Sequence, residues 1–291
     1  NIRSGADYLR TWMACLIHYP DQPLPYLFLS GPQNSGKSIF HECCRFLFKG
    51  GIASAGHALT SNFNGALEGC FLVYVEERDL ADKRHDSYSK IKEWVTGRSL
   101  TVRRMYMEEF EAPNYLHFVQ MANSTKNLPM EDGDTRIIAL EVPALGKKSV
   151  PKLILEGHLK REAPRFLRTL LNTVIPAPID RLRIPTVSTA TKTMMEQRAM
   201  SPLMIFCKKD LRPCDGQKID LDEFYARYKS HMAAHGQDAD PVPWVMQELF
   251  NRSDRYEVAR SGKKQYLVNF TMDPKAKPKR KRIVPDSFGQ F

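Results

Sequence analysis

Residues with the chemistry to handle phosphate lie in one short stretch, Gly31-Pro-Gln-Asn-Ser-Gly-Lys-Ser. It satisfies G-x-x-x-x-G-K-[ST] and stands between an apolar run, Tyr26–Ser30, and a helical run reaching Phe48. A strand before and a helix after are the two elements that distinguish a phosphate-binding loop from a chance match. Gly31 and Gly36 allow the backbone to wrap, so that Gly31, Pro32, Gln33, Asn34, Ser35, Gly36, Lys37 and Ser38 form the cradle. The helix that follows adds its positive end. Lys37 is placed to reach the β- and γ-phosphates of ATP and Ser38 to hold Mg²⁺. Hydrolysis also needs carboxylates: Phe71–Val75 reads as a buried strand ending in Glu76 and Glu77. One of the two would serve the metal shell and the other would orient and deprotonate water. A third strand, Leu116–Ala122, ends at Asn123, whose amide can bond both the γ-phosphate and the attacking water. Taken alone, two Glu after a strand also fit a solvated strand end, and an Asn there also fits a turn.

The surrounding pattern shows what positions these residues. Tyr26–Ser30, Phe71–Val75, Leu116–Ala122 and Ile137–Val142 read as buried strands separated by helices. That predicts an α/β fold with a largely parallel sheet. A helical lead-in over 1–23 precedes a core over 24–174 that closes on a helix after Pro151. Prolines 176, 178 and 185 mark 175–200 as a linker. Residues 201–273 read as helix, helix and hairpin, the last turning at Ser261-Gly262, which resembles a winged helix. A small α+β domain with no nucleic-acid role accounts for the same pattern.

The 291 residues suit two domains, and 42% hydrophobic with 26% charged describes neither a disordered nor a membrane chain. No apolar window approaches 18 residues, which predicts no transmembrane helix. Asn1 is followed by no leader, so a piece of a longer intracellular protein is expected. The six cysteines contain no Cys-x-x-Cys pair and read as reduced thiols; His231 and His235 read as a helix surface, not a metal site. Net charge is +10, but Lys275–Arg282 carries six cations and leaves +4 for the body of a chain tailed by 274–291. That block reads as a solvated tail, a phosphate binder, or a localisation signal implying a nuclear destination.

The order of motifs resembles superfamily 3 helicases, and more narrowly the helicase half of phage and virus primase-helicases. Ile91–Tyr106 is similar to that group's approach to its hairpin, and Met121–Pro129 with Asp132–Ile137 to its sensor 1 and arginine-finger region. The resemblance covers roughly 24–145 well and the remainder loosely. It implies a P-loop, AAA+-like ATPase core with a C-terminal winged-helix-like domain. It further implies a homo-oligomeric ring, a hexamer, translocating 3′→5′ on single-stranded DNA at a replication fork, with a primase or polymerase region preceding Asn1. Under it Glu77 matches the base, Asn123 sensor 1, and Arg136 the finger that enters a neighbour's ATP site; Arg98 maps loosely to another interface charge sensor. Glu76 stands where many relatives have Asp. On the hairpin, Arg103 or Arg104 would hold strand phosphates and Tyr106 would stack on a base, although many relatives carry Lys where Met105 stands. An ordinary surface hairpin is the other reading. The rival functions are a different P-loop motor, for DNA packaging or remodelling, and a DNA-binding module with a vestigial nucleotide site.

Overall fold

The computed structural model describes residues 2, 4–75, 84–128, 130–131, 133–146, 150–178, 181–253, 255–262 and 264–278, with the side chains of 84–86 also outside the description. Two units result, Asn1–Ala199 and Met200–Phe291. The first runs α1 (Gly5–His18), β1 (Tyr26–Ser30), α2 (Lys37–Leu47), β2 (Ile52–Ser54), α3 (Gly56–Thr60), β3 (Leu72–Val75) and α4 (Arg84–Thr96). It continues through β4 (Ser99–Val102), β5 (Phe110–Pro113), β6 (His117–Ala122), β7 (Ile137–Glu141), α5 (Lys152–Leu171) and α6 (Ala190–Ala199).

Five of these strands form a parallel sheet in the order β2-β3-β6-β1-β7. Their near-continuous apolar sequences follow from burial on both faces. Tyr26, Phe28, Val73, Val75, Phe118 and Ala139 face a core completed by Leu59, Ile91, Trp94 and Val95. The alternate residues Leu27, Leu29, Tyr74, Val119 and Ile138 face Tyr8, Trp12, Cys44 and Leu170. Thus α3 and α4 cover one face, and α1, α2 and α5 the other. From β1 the chain leaves across the second face through α2. From the adjacent β6 it leaves across the first, where Leu128 and Met130 join the core. Adjacent parallel strands whose connections diverge to opposite faces open a crevice at their carboxyl ends, where ligands bind in such sheets.

The four buried strands expected from the sequence correspond to β1, β3, β6 and β7. The three-residue β2 is partly exposed and carries no alternation that would mark it. Two corrections concern the boundaries. The helical lead-in is part of the core: Tyr8 and Trp12 are fully buried, and Trp12 Nε1 donates to Pro25 O at 2.9 Å. The stretch 175–200 is not a spacer. Leu182 and Ile184 are buried, Thr189 Oγ1 donates to Ala139 O at 2.5 Å, and α6 lays Met195 into the core. Its prolines steer a chain that packs against the sheet.

The second unit contains α7 (Pro202–Asp210), β8 (Arg212–Asp220), α8 (Leu221–Ala234), α9 (Val242–Asn251), β9 (Val258–Ser261) and β10 (Lys264–Thr271). The strands form an antiparallel sheet ordered β8-β10-β9 over a core of Phe206, Phe224, Tyr228, Leu249 and Leu267. The expected helices and hairpin are present. Strand β8 escapes a sequence reading because Asp215-Gly-Gln-Lys looks like a loop. It is held by pairing to β10 and by Asn269, whose Oδ1 accepts from Gly216 N at 3.1 Å. Among the described residues no helix is long and apolar enough to cross a membrane, and no group of three metal-ligating side chains occurs. His231 stacks on His235 with centroids 4.4 Å apart. All six cysteines are free, and burial pushes Cys15 up to about 11 and Cys44 to about 12, which leaves them inert thiols.

His117, at the start of β6, gives the fold a pH dependence. Its Nε2 lies 3.1 Å from Pro20 O, an acceptor only, so Nε2 carries the proton. Nδ1 is buried without a partner. Desolvation therefore pushes the imidazole down to about 4, against the opposing pull of the Pro20 carbonyl. The folded chain binds this proton more weakly than the unfolded one. This contribution is thus fully present above about pH 6.5 and is lost as pH falls toward 4. Denaturant titration is expected to give roughly 2 kcal/mol less stability at pH 5 than at pH 7. In His117→Gln that difference should largely vanish.

Candidate nucleotide site

The Gly31–Ser38 loop leaves β1 at the crevice. Gly31 N–H donates to Ala122 O at 3.2 Å and Val142 N–H to Ser30 O at 2.7 Å, so the loop starts from a strand end clamped on both sides. A Cβ on Gly31 would lie 2.2 Å from Val142 O, a backbone atom that cannot give way. Asn34 (φ 58°) and Gly36 (φ 85°) are both left-handed, and this double reversal lets α2 begin directly at Lys37. The positive N-terminal end of α2 therefore points at the loop. Ser38, its second residue, is exposed, and Pro32, Gln33 and Asn34 line the outside. Pro32 lacks an N–H and enters the cradle through its carbonyl.

Lys37 ties the loop together. Its Nζ donates to Gly31 O and Pro32 O, each at 2.8 Å, and to Asn123 Oδ1 at 2.9 Å. The three ammonium protons are thereby matched; Ser35 Oγ, at 3.3 Å, is a weaker fourth contact. Because Asn123 ends β6, this bond joins the carboxyl ends of the two adjacent strands from which the chain diverges. Lys37 and Asn123, 86 residues apart, are the pair from the sequence reading that the fold brings into contact. Strand β3 ends at the same edge, with Val75 opposite Gln120. Glu76 and Glu77 lie outside the described residues.

Arg136 stands elsewhere. Its carbonyl accepts from Tyr26 N at 2.8 Å, at the amino ends of β1 and β7. The length of β1, ~15 Å for five residues, separates it from the loop. Its guanidinium is held by Asp134, whose side chain is 1% exposed: Arg136 Nη1 lies 3.4 Å from Oδ1, and Arg136 N–H donates to the same oxygen at 2.7 Å. Tyr88 O–H donates to Asp134 Oδ2 at 2.7 Å, and Lys192 Nζ donates to Asp134 O at 2.6 Å. Desolvation lowers the Lys192 pKa, partly offset by Glu196 and Asp134. Asp134→Asn would set an amide N–H₂ against one of these donors. A loss of about 1–3 kcal/mol is expected in denaturant unfolding. If the amide faces the phenol, adding Tyr88→Phe should recover part of it, a coupling that a double-mutant cycle measures.

The predicted hairpin is β4 and β5, paired from Ser99↔Pro113 to Val102↔Phe110. Tyr106 at its tip is 98% exposed with φ 58°, flanked by exposed Met105 and Met107. Both arginines assigned to strand phosphates are engaged within the chain. Arg103 Nη2 pairs with Glu109 at 2.5 Å, and Arg104 contacts Glu68 through Nε at 2.9 Å and Nη2 at 2.5 Å. The base is fixed by Asn64, whose Nδ2 donates to Thr101 O at 2.8 Å and whose Oδ1 accepts from Arg103 N at 2.7 Å. Asn64, Glu68 and Asp134 escaped the sequence reading. Asp134 lies within the Asp132–Ile137 segment, whereas Asn64 and Glu68 are single polar residues far from the motifs they support.

Residues 29–136 match a family model described as a family of unknown function, DUF5906. A stretch of 135 residues, 45% of the chain, is 27% identical to the DNA primase-polymerase of Nitratiruptor phage NrS-1, of which it covers 19%. Apo structures of the NrS-1 C-terminal region share the fold. One has a TM-score of 0.60 at 17% identity, covering 90% of this chain and 70% of the other. An A form has 0.62 at 16%, covering 92% and 72%. The chain is thus homologous to a phage primase-polymerase, spans about a fifth of it, and has the mixed α/β, parallel-sheet fold of that protein's C-terminal region.

Proposed function

We propose that the chain is the ATP-driven motor part of a phage or viral replication protein, a ring helicase of the superfamily 3 type moving on single-stranded DNA. The observation that carries the reading is the 2.9 Å bond between Lys37 and Asn123 across the crevice between β1 and β6. A cation on a loop of turned backbone and an amide on the next strand face the same space. That is the arrangement needed to hold a terminal phosphate and the water attacking it. The donors present fit a nucleotide: the Lys37 ammonium, the start of α2, and a glycine loop with no side chain over its first residue. ATP supplies the phosphoryl group and Mg²⁺ its charge neutralisation; Ser38 and Glu76 are the residues we assign to the metal, and Glu77 to the proton of the water.

Arg136 lies at the opposite edge of the sheet, so in this reading it acts on the nucleotide of an adjacent copy, and the motor is an oligomer, a hexamer. Tyr106 is the residue we place against DNA bases. Arg103 and Arg104 would grip the strand only by exchanging Glu109 and Glu68 for phosphates. The second unit, with its α-β-α-α-β-β order, serves as a winged-helix-like module. The likeness to a primase-polymerase supports a preceding synthesis region in the complete protein. Unwinding of a forked duplex by the chain with ATP and Mg²⁺ tests the reading. Hydrolysis that ignores DNA, with no unwinding, would instead favour a packaging or remodelling motor.

A further inference from the structure

A second group of cations surrounds a cavity of about 520 Å³ in the first unit, at the amino ends of β1 and β6. Among the described residues its walls carry Arg98, Arg181 and Arg183 and one carboxylate, Asp21, with Tyr115 also lining it. The site is built, not a chance meeting of surface chains. Arg183 is only 5% exposed; its N–H donates to Pro23 O at 2.8 Å, Nη1 donates to Pro176 O at 2.5 Å, and its guanidinium lies 4.1 Å from the Tyr19 ring centroid. Those contacts use one of five guanidinium donors, and the buried unpaired atoms found among the described residues include none of its nitrogens. Arg181 Nη2 donates to Thr135 Oγ1 at 3.0 Å. The Arg98 backbone is fixed by Asn114, whose N–H donates to Arg98 O at 3.0 Å and whose Nδ2 donates to Gly97 O at 2.9 Å. Arg98 itself is exposed and makes no ion pair among the described residues.

We infer that this cavity is a second phosphate-binding site, in which Arg98, Arg181 and Arg183 take the phosphoryl oxygens of a nucleotide unit and Tyr115 meets its base. Guanidinium forks match phosphate oxygens in pairs, and a volume of this size holds a nucleotide. Tyr115 is 45% exposed, which leaves a ring face for stacking. The Gly31–Ser38 loop lies at the other end of the same strands, so a nucleotide held there cannot place its phosphates here within one chain. The phosphoryl groups come either from a second free nucleotide or from a nucleic-acid strand.

The test uses the full chain carrying Lys37→Ala, which disables the loop so that its failure cannot be mistaken for that of the cavity. ATP binding is followed by calorimetry, and binding of a fluorescent oligo(dT) strand by anisotropy at several salt concentrations. Adding Arg98→Ala and Arg181→Ala is expected to weaken one of the two ligands about tenfold or more. If the strand is the ligand, its salt slope should also fall by roughly one to two. Asp21→Asn should tighten the same ligand. Thermal melting checks that the variants fold. The ligand that responds identifies the source. Binding of both ligands unaffected by the two arginine changes, or no binding of either to Lys37→Ala, overturns the proposal.

Discussion

Replacing Lys37 with alanine is expected to lower ATP hydrolysis by about 10²–10³-fold or more, the cost of losing one preorganised positive donor at a phosphoryl group. The Lys37 ammonium binds Gly31 O, Pro32 O and Asn123 Oδ1, so it fixes the loop and sets the distance between loop and amide. A phosphate entering the crevice offers the same ammonium stronger, charge-assisted partners. The lysine would then exchange carbonyls for phosphate oxygens and free Asn123 for the attacking water. Alanine removes both functions, and because the lost contacts are half-exposed the fold should survive. Lys37→Arg should fail nearly as badly, since a planar fork cannot supply three converging donors from that stem. Steady-state hydrolysis with a thermal melt as control reads this out. An alanine variant with near-normal turnover would remove Lys37 from the chemistry.

Arg136→Ala is the second large effect, expected to cost roughly 10³–10⁵ in hydrolysis if the guanidinium completes a neighbour's site. Its place at the amino ends of β1 and β7, away from the loop, leaves no route to the loop of its own chain. Trans action has a distinctive signature. Mixing Arg136→Ala with Lys37→Ala should restore part of the activity, because a ring containing both places an intact arginine beside an intact loop. Two inactive proteins that stay inactive in mixed particles would count against trans action. Asp134 complicates the single substitution. Without Arg136 its buried carboxylate keeps the Arg136-position N–H and Tyr88 but loses its cationic partner. Some loss of stability should therefore accompany the loss of rate, and the mixing experiment separates the two.

Much of the sheet was legible because burial on both faces forces apolar runs. Tyr26-Leu-Phe-Leu and Phe71-Leu-Val-Tyr-Val admit few other readings. The loop was legible for a different reason: turned backbone and close approach demand glycine at Gly31 and Gly36, and spacing records that demand. Elements held by distant partners were not. Strand β2 depends on β3, β8 depends on β10, and α6 is ordered by Met195 and Lys192 packing onto residues of the sheet unit, none of which leaves a local period. The prolines of 175–200 were misleading for the same reason, since a proline-rich segment packed on a core and a free spacer have similar compositions. At the hairpin, the residue types were read but not their pairing. Arg103 and Arg104 looked available until Glu109 and Glu68 were seen opposite them.

The most direct test of the proposed function is the rate of ATP hydrolysis by the chain with Mg²⁺, measured with and without single-stranded DNA alongside the particle mass. An ATP-driven ring motor hydrolyses faster when the strand is added, in particles several chains in mass, and loses that hydrolysis with Lys37→Ala. Hydrolysis absent under all these conditions, with ATP failing to bind at the Gly31–Ser38 loop, would contradict the proposed function.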